Sequence, residues 1–347
     1  MKRIEIRPGY SISKVIKGGW HLAGGHGIID QNKALEDMYQ FVKAGITTFD
    51  CADIYTGVEE LIGKFRKKYQ DEFQSGELAP IQIHTKYVPD YSSLATLKKE
   101  DTVKIIDRSL RRLNVEQLDL VQFAWWDYQF PRYLETAVHL SELQKSGKIR
   151  HLGVTNFDTV RIKEMLNAGV EITTNQVQYS LLDRRVENSM SDLAQEHNIP
   201  YLCYGSIAGG FLSDRYLGTA DLTKPYENRS LTKYRLIIDE FGGYNLFQEL
   251  LKVLRTIADK YHVGVAEIAS KYVLQKPMVA SVIIGARNNK HLNNLKKLDY
   301  FNLNNDDLEA ISKIIDISKG PYGPFYELER DKTGKHGSIM KYNLNES

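Results

Sequence analysis

An aspartate, a tyrosine and a lysine can do chemistry together here, in TTFDCADIYTGVEELIG (47–63) and HTK (84–86). Asp50 stands at the end of an apolar run, Tyr55 follows on the approach to a helical period, and Lys86 ends a second apolar run. Alternate residues of a strand share a face, so Lys86 can point inward with His84 one layer deeper. A buried lysine needs a partner, and Asp50 on the neighbouring run is placed to be one. A positive neighbour favours the phenolate, so Tyr55 close to Lys86 is expected to have its pKa lowered from about 10. The three together would make a proton donor tuned toward working pH.

Something must hold these groups in one place. Short β-rich runs alternate with helical periods along the chain, the pattern of a parallel sheet covered by helices. The strand candidates are 14–20, 46–52, 81–87, 118–125, 149–156, 172–180, 199–207 and 279–286, with helical periods at 32–45, 101–113, 133–147, 160–169 and 186–198 between them. Eight parallel strands alternating with helices predict a (β/α)8 TIM barrel, and no GxGxxG motif follows the first strand as a Rossmann domain would require. We read residues 1–347 as a single barrel domain, its core about 9–318 and its irregular tail 319–347. A long loop (213–245) follows the seventh strand; excursions of that kind at a barrel end are more often functional than idle. Catalytic groups in barrels sit at the C-terminal strand ends. Those ends carry Trp20, Asp50, Lys86, Ala124 with Trp125, Thr155 with Asn156, Gln176, Tyr204, and Gly285 to Arg287.

Composition narrows the function classes. The formal net charge is +2 and the basic residues are scattered, so neither a nucleic-acid footprint nor a polybasic membrane arm is expected. No apolar run reaches the length of a membrane span, and Cys51 and Cys203 sit inside apolar runs without metal spacing. A reduced, cytoplasmic chain without a metal is the expectation. His21, His26 and His151 read as loop or satisfied histidines, and KFRKKY (64–69) as the solvated face of a helix.

Several segments share an order and spacing with one family: FDCADIYTGVEELIG, TKYVP (85–89), SLRRLNVEQLDLVQFAWWD, GKIRHLGVTNF (147–157), NQVQYSLLDR (175–184), YGSIAGGFLS (204–213) and IIGARNNKHLNN (283–294). Over roughly residues 9 to 300 the chain resembles the aldo-keto reductases. The resemblance implies that Tyr55 is the general acid toward a carbonyl oxygen as hydride arrives from a nicotinamide, with Lys86 and Asp50 tuning it. It also implies that Thr155, Asn156 and Gln176 bond the nicotinamide carboxamide and that Tyr204 stacks under the ring. Gly205, Ser206 and Gly209, then Gly285, Ala286, Arg287, His291 and Asn294, would lie along the cofactor's phosphates and adenosine. Gly19 and Trp20 match the first-strand cofactor and substrate contacts, and Trp20, Tyr87, Ala124 and Trp125 are the candidate substrate-pocket residues.

The pattern is broken in two places. Where the family carries a histidine that orients the substrate carbonyl, this chain has Ala124; loss of one such donor typically costs about 10²–10³ in turnover. The acidic–Asn pair usual around the adenosine is replaced by His291, Asn294 and Leu295. Arg287 follows the Gly–Ala turn and can clamp a phosphate, which favours NADP(H) over NAD(H). The function expected is therefore NADP(H)-dependent reduction of an aldehyde or ketone, or the reverse, without metal. Its alternative is a catalytically impaired nicotinamide-binding barrel serving as a redox-sensing or structural subunit. A small-molecule carbonyl substrate is the expected partner, and an oligomer is allowed.

Overall fold

Eight parallel strands close on themselves in the computed structural model, which describes residues 1–24, 27, 29–221 and 226–345 (the Ser189 side chain excepted). His26 lies outside the described residues. Two short strands come first, β1 (Arg3–Arg7) and β2 (Tyr10–Ser13), paired antiparallel. The barrel follows as β3 (Val15–Gly18), β4 (Thr48–Asp50), β5 (Gln82–Tyr87), β6 (Leu118–Phe123), β7 (Ile149–Thr155), β8 (Asn175–Gln178), β9 (Tyr201–Tyr204) and β10 (Val279–Gly285). Each pairs with the next, and β10 returns to β3. This is the (β/α)8 TIM barrel that the alternation predicts.

All eight predicted strands are present, but shorter than the apolar runs that mark them. Their upper ends leave the ladder early: Trp20 begins a 3-10 turn (Trp20–Leu22), and Ala124 and Asn156 lie one residue past β6 and β7. A ladder ends where its neighbour diverges, whereas hydropathy continues into the buried loops that line the mouth.

The β1–β2 hairpin has no counterpart among the predicted elements. It plugs the lower end of the barrel: Ile6, Tyr10 and Ile12 pack with Ile16, Leu120, Leu202, Ala280 and Ile283. Arg7 reaches the carbonyls of Ile172 and Asn198 just below β8 and β9, each at 2.9 Å. Tyr10 meets His84 at 3.0 Å inside the barrel. The lower end is thus sealed, and openings are left to the upper end.

Helices wrap the outside, each burying one apolar face against the strands. Gln31–Lys43, Val58–Lys68, Lys99–Leu113, Tyr133–Lys145, Thr159–Asn167 and Ser189–His197 follow the strands in turn. Asp30 caps the first of them through Lys33 N at 3.2 Å. The excursion after β9 contains a helix, Arg229–Phe241, capped by Asn228 through Leu231 N at 3.0 Å. The tail is mostly irregular, with a short turn of helix at Glu327–Arg330 and a 3-10 turn at Gly337–Ile339.

Candidate active site

Lys86 is the hub of the upper end. Asp50 pairs in register with His84, so Lys86 lies two residues higher and its side chain bends toward Asp50. Its Nζ donates to Asp50 Oδ2 at 2.7 Å and to the Cys51 carbonyl at 2.8 Å. The other carboxylate oxygen of Asp50 accepts from Gln176 at 2.7 Å and from Gln122 at 3.1 Å. Burial alone would discharge Lys86, but the Asp50 charge and hydrogen bond, with Tyr55, hold it above the ordinary lysine range.

Tyr55 arrives from the β4–helix loop and offers its ring to the same ammonium, 5.0 Å from the ring centroid. Trp20 packs edge-on against it, with ring centroids 5.0 Å apart. The expected lowering of its pKa is overturned in direction. Burial raises it above 10, and Lys86 only opposes that rise. Desolvation wins over the ammonium although the residue is only half-buried, because its ring is packed between Trp20 and Lys86. Tyr55 is therefore held protonated, as a proton donor must be, and Lys86 acts on the phenolate left after donation.

These groups open into a cavity of about 610 Å³ at the barrel mouth. Of the candidates named from the sequence, Asp50, Tyr55, Lys86, Trp20, Ala124, Trp125, Thr155, Asn156, Gln176, Tyr204, Gly205, Gly209, Gly285, Ala286, Arg287 and His291 all line it. Tyr204 donates to Asn156 Oδ1 at 2.9 Å, linking the ends of β7 and β9.

Four candidates do not reach the cavity. Tyr87 follows Lys86 on its strand, so alternation turns it outward; it is fully buried beneath the Lys99–Leu113 helix, with its hydroxyl 3.1 Å from Thr102. Gly19 is held against β4, where an added Cβ would lie 2.7 Å from the Asp50 carbonyl, and Gly18 faces the cavity instead. Ser206 is buried below the glycine loop, and Asn294 is exposed on the Leu292–Lys297 helix. Trp125 belongs mostly to the core, 2% exposed beside Phe123 and Tyr133, while Trp126 forms more of the rim.

Ala124 leaves a gap in the donor set. Both neighbouring indole N–H groups are engaged elsewhere: Trp125 donates to the carbonyls of Asp127 and Phe130, each at 3.0 Å, and Trp126 to that of Pro89 at 2.8 Å. His84 cannot stand in, because its Nε2 meets Tyr10 and burial pushes its pKa down to about 3.

Apart from His21, the remaining walls come mostly from residues the sequence reading did not name. Arg229, Ser230, Lys233 and Tyr234 come from the helix after β9, and Tyr326, Ile339, Met340, Lys341 and Leu344 from the tail. Tyr234 lies over the glycine loop; a Cβ on Gly205 (φ +74°) would meet its hydroxyl at 2.3 Å. The only available signal was the length of the two excursions, because an irregular segment carries no period that says which residues face inward.

The tail is fastened across the mouth. Glu329 binds Arg185 at 2.9 Å, Arg185 binds Asp183 at 2.7 Å, and all three are about 1% exposed. Arg330 donates to the carbonyls of Trp125, Trp126 and Asn156 and to the Tyr128 hydroxyl. Further on, Leu344 N and Asn345 N both reach Asp90 Oδ1, at 2.7 and 2.9 Å.

A sealed parallel barrel whose open end gathers a tyrosine, a lysine–aspartate pair and a ring of small and cationic residues defines a class: barrel oxidoreductases that use a nicotinamide. The chain belongs to the aldo/keto reductase family, whose profile matches residues 14–316. It is 28% identical over 328 residues to aldo-keto reductase YhdN of Bacillus subtilis, covering 91% of this chain and 94% of that one. Among solved structures, glycerol dehydrogenase from Gluconobacter oxydans superposes with a TM-score of 0.75 at 24% identity, over 93% of this chain and 98% of that one. An aldo-keto reductase from Klebsiella pneumoniae in complex with NADPH gives 0.69 at 21% identity, over 93% and 96%. The protein is thus an NAD(P)H-dependent oxidoreductase acting on small carbonyl compounds. Among the described residues, no helix is long and apolar enough to cross a membrane, and no three metal-ligating side chains gather.

Proposed function

We propose that the protein is an NADP(H)-dependent reductase of aldehydes or ketones in which Tyr55 gives the proton and no histidine assists. The observation that carries this reading is Lys86, held charged by Asp50 at 2.7 Å and standing 5.0 Å from the Tyr55 ring. As the carbonyl oxygen gains negative charge, Tyr55 passes its proton to it, and the ammonium stabilises the phenolate that remains. Lys86 is buried and Tyr55 half-buried, so that interaction is stronger than it would be in bulk water.

The cavity suits a dinucleotide. Among the described residues, six cationic side chains line it (Lys86, Arg229, Lys233, Arg287, Lys290 and Lys341) against one carboxylate, Asp50. The Arg229–Phe241 helix turns its first residues, Arg229 and Ser230, to the cavity beside the glycine loop, an arrangement that favours phosphate. A nicotinamide bound here supplies the hydride. Thr155, Asn156 and Gln176 would hold its carboxamide and Tyr204 its ring face. Arg287 and Lys290 supply positive charge, and His291 a polar ring, where an adenosine phosphate would fall, which supports NADP(H) over NAD(H). Cys51 and Cys203, both buried free thiols, fit a reducing compartment such as the cytoplasm.

The test is NADPH consumption across aldehydes, ketones and quinones, with Tyr55→Phe as the control. Turnover that disappears in the control supports the reading; turnover that survives it removes Tyr55 from the chemistry. Ala124, flanked by two engaged indoles, favours a second reading, a nicotinamide-binding subunit of low activity that senses redox state. Tight NADPH binding without turnover on any substrate would favour it, and Ala124→His would then show whether the lost donor alone is responsible.

A further inference from the structure

The helix after β9 and the C-terminal tail together build a feature that hydride transfer does not require. Lys233 extends into the mouth cavity, with its ammonium 5.1 Å from the centroid of the Tyr204 ring, 5.6 Å from that of Tyr234 and 5.7 Å from that of Tyr326. Three tyrosines from three separate elements thus surround one cation.

Among the described residues, no carboxylate pairs with it. The nearby acids are Asp183 and Glu329, and both are spent on Arg185, Asp183 also accepting from Gln178 at 2.6 Å. Burial lowers the pKa of Lys233, and Glu329 and Asp183 work against that only at a distance. Tyrosine faces stabilise a cation, but they accept none of its three N–H bonds in the way an oxygen does. Water can serve while the cavity is empty. A bound anion would do so with a charge-assisted bond in a place of low dielectric.

We propose that Lys233 is a specificity-determining residue that binds a carboxylate on the carbonyl substrate, so that the preferred substrates are aldehydes or ketones carrying one negative charge. The proposal rests on the reductase reading of the same cavity. A carboxylate suits this place better than a phosphate, because one ammonium among neutral rings matches one charge. The substrate is a better source of that anion than the cofactor. Lys233 is caged by Tyr326 from the tail, the segment that Arg330 ties to the carbonyls of Trp125 and Trp126 beside Ala124, whereas Arg229 lies over the Trp20 ring at 6.0 Å.

The experiment compares para-carboxybenzaldehyde with the near-isosteric, neutral para-nitrobenzaldehyde. In the wild-type protein kcat/KM for the acid should exceed that for the neutral aldehyde by roughly 10- to 100-fold, the span of one charge-assisted bond. Lys233→Met should bring the ratio to near one, and Lys233→Arg should keep most of it. A parallel titration of NADPH-loaded protein with para-carboxybenzyl alcohol and para-nitrobenzyl alcohol reads the same preference without turnover. A wild-type ratio near one in both measurements overturns the proposal and leaves the reductase reading intact. An unchanged ratio in Lys233→Met, with NADPH affinity weakened instead, overturns it in favour of the cofactor phosphates. Preferential binding of the carboxylate alcohol that Lys233→Met abolishes, without turnover of either aldehyde, upholds the anion site while the reductase reading falls.

Discussion

Lys86→Met separates what Lys86 does for chemistry from what it does for stability. The substitution keeps the length of the side chain and removes its charge. A unit charge 5.0 Å from the Tyr55 ring, at an effective dielectric of about 20, is worth about 3 kcal/mol to the phenolate. Lost from the transition state, that is roughly a hundredfold in kcat, or somewhat more. The same change strands Asp50, 4% exposed, with only the Gln122 and Gln176 amides as partners. Breaking a buried pair in this way costs about 3–5 kcal/mol of stability. The double variant Asp50→Asn/Lys86→Met removes the stranded charge as well, so it should recover much of the stability and none of the rate. The assay is NADPH oxidation on a substrate at saturation, beside urea denaturation of the wild type and both variants. A folded Lys86→Met that keeps more than a third of wild-type kcat would refute the argument, as would a double variant whose rate returns with its stability.

Other perturbations read different parts of the site. Ala124→His restores a donor beside Tyr55 and should raise turnover of small aldehydes by roughly tenfold or more; unchanged or lower kcat, with the fold intact, would mean that a donor is not what the site lacks. Arg330→Ala frees the tail from three backbone carbonyls across the mouth and should raise KM by roughly tenfold, well beyond any change in kcat; a fall in kcat at constant KM would contradict this. Burial, with Glu59 close by, raises the carboxyl of Asp53 from 3.8 to about 7. Between those pH values the folded chain holds a proton that the unfolded chain has shed, so stability is lost as pH rises from about 4 through 7. Asp53→Asn has no such proton to lose and should gain on the wild type across that window, by up to about 4 kcal/mol at pH 8; parallel stability curves from pH 4 to 8 would refute it.

The barrel and its chemistry were legible in the sequence because both depend on local order. Runs with a period of two alternating with helical periods allow few architectures, and strand parity places Lys86 inward beside Asp50 whatever surrounds them. The same parity turns Tyr87 outward, a consequence available from its position directly after Lys86. The gap at Ala124 was equally plain. Other features had no local signature. The β1–β2 hairpin is short and gains its place only by plugging a barrel that must first exist. The pKa direction of Tyr55 is a contest between burial and one ammonium, and only the packing around the phenol decides it. The cage around Lys233 joins β9, the helix after it and the tail, with Tyr204 and Tyr326 more than a hundred residues apart. Residue types and spacing thus determined the fold and its proton donor, since those follow from short-range periodicity. The shape and charge of the pocket depended on irregular segments packing over the mouth, and long-range contacts of that kind exist only once the chain has folded.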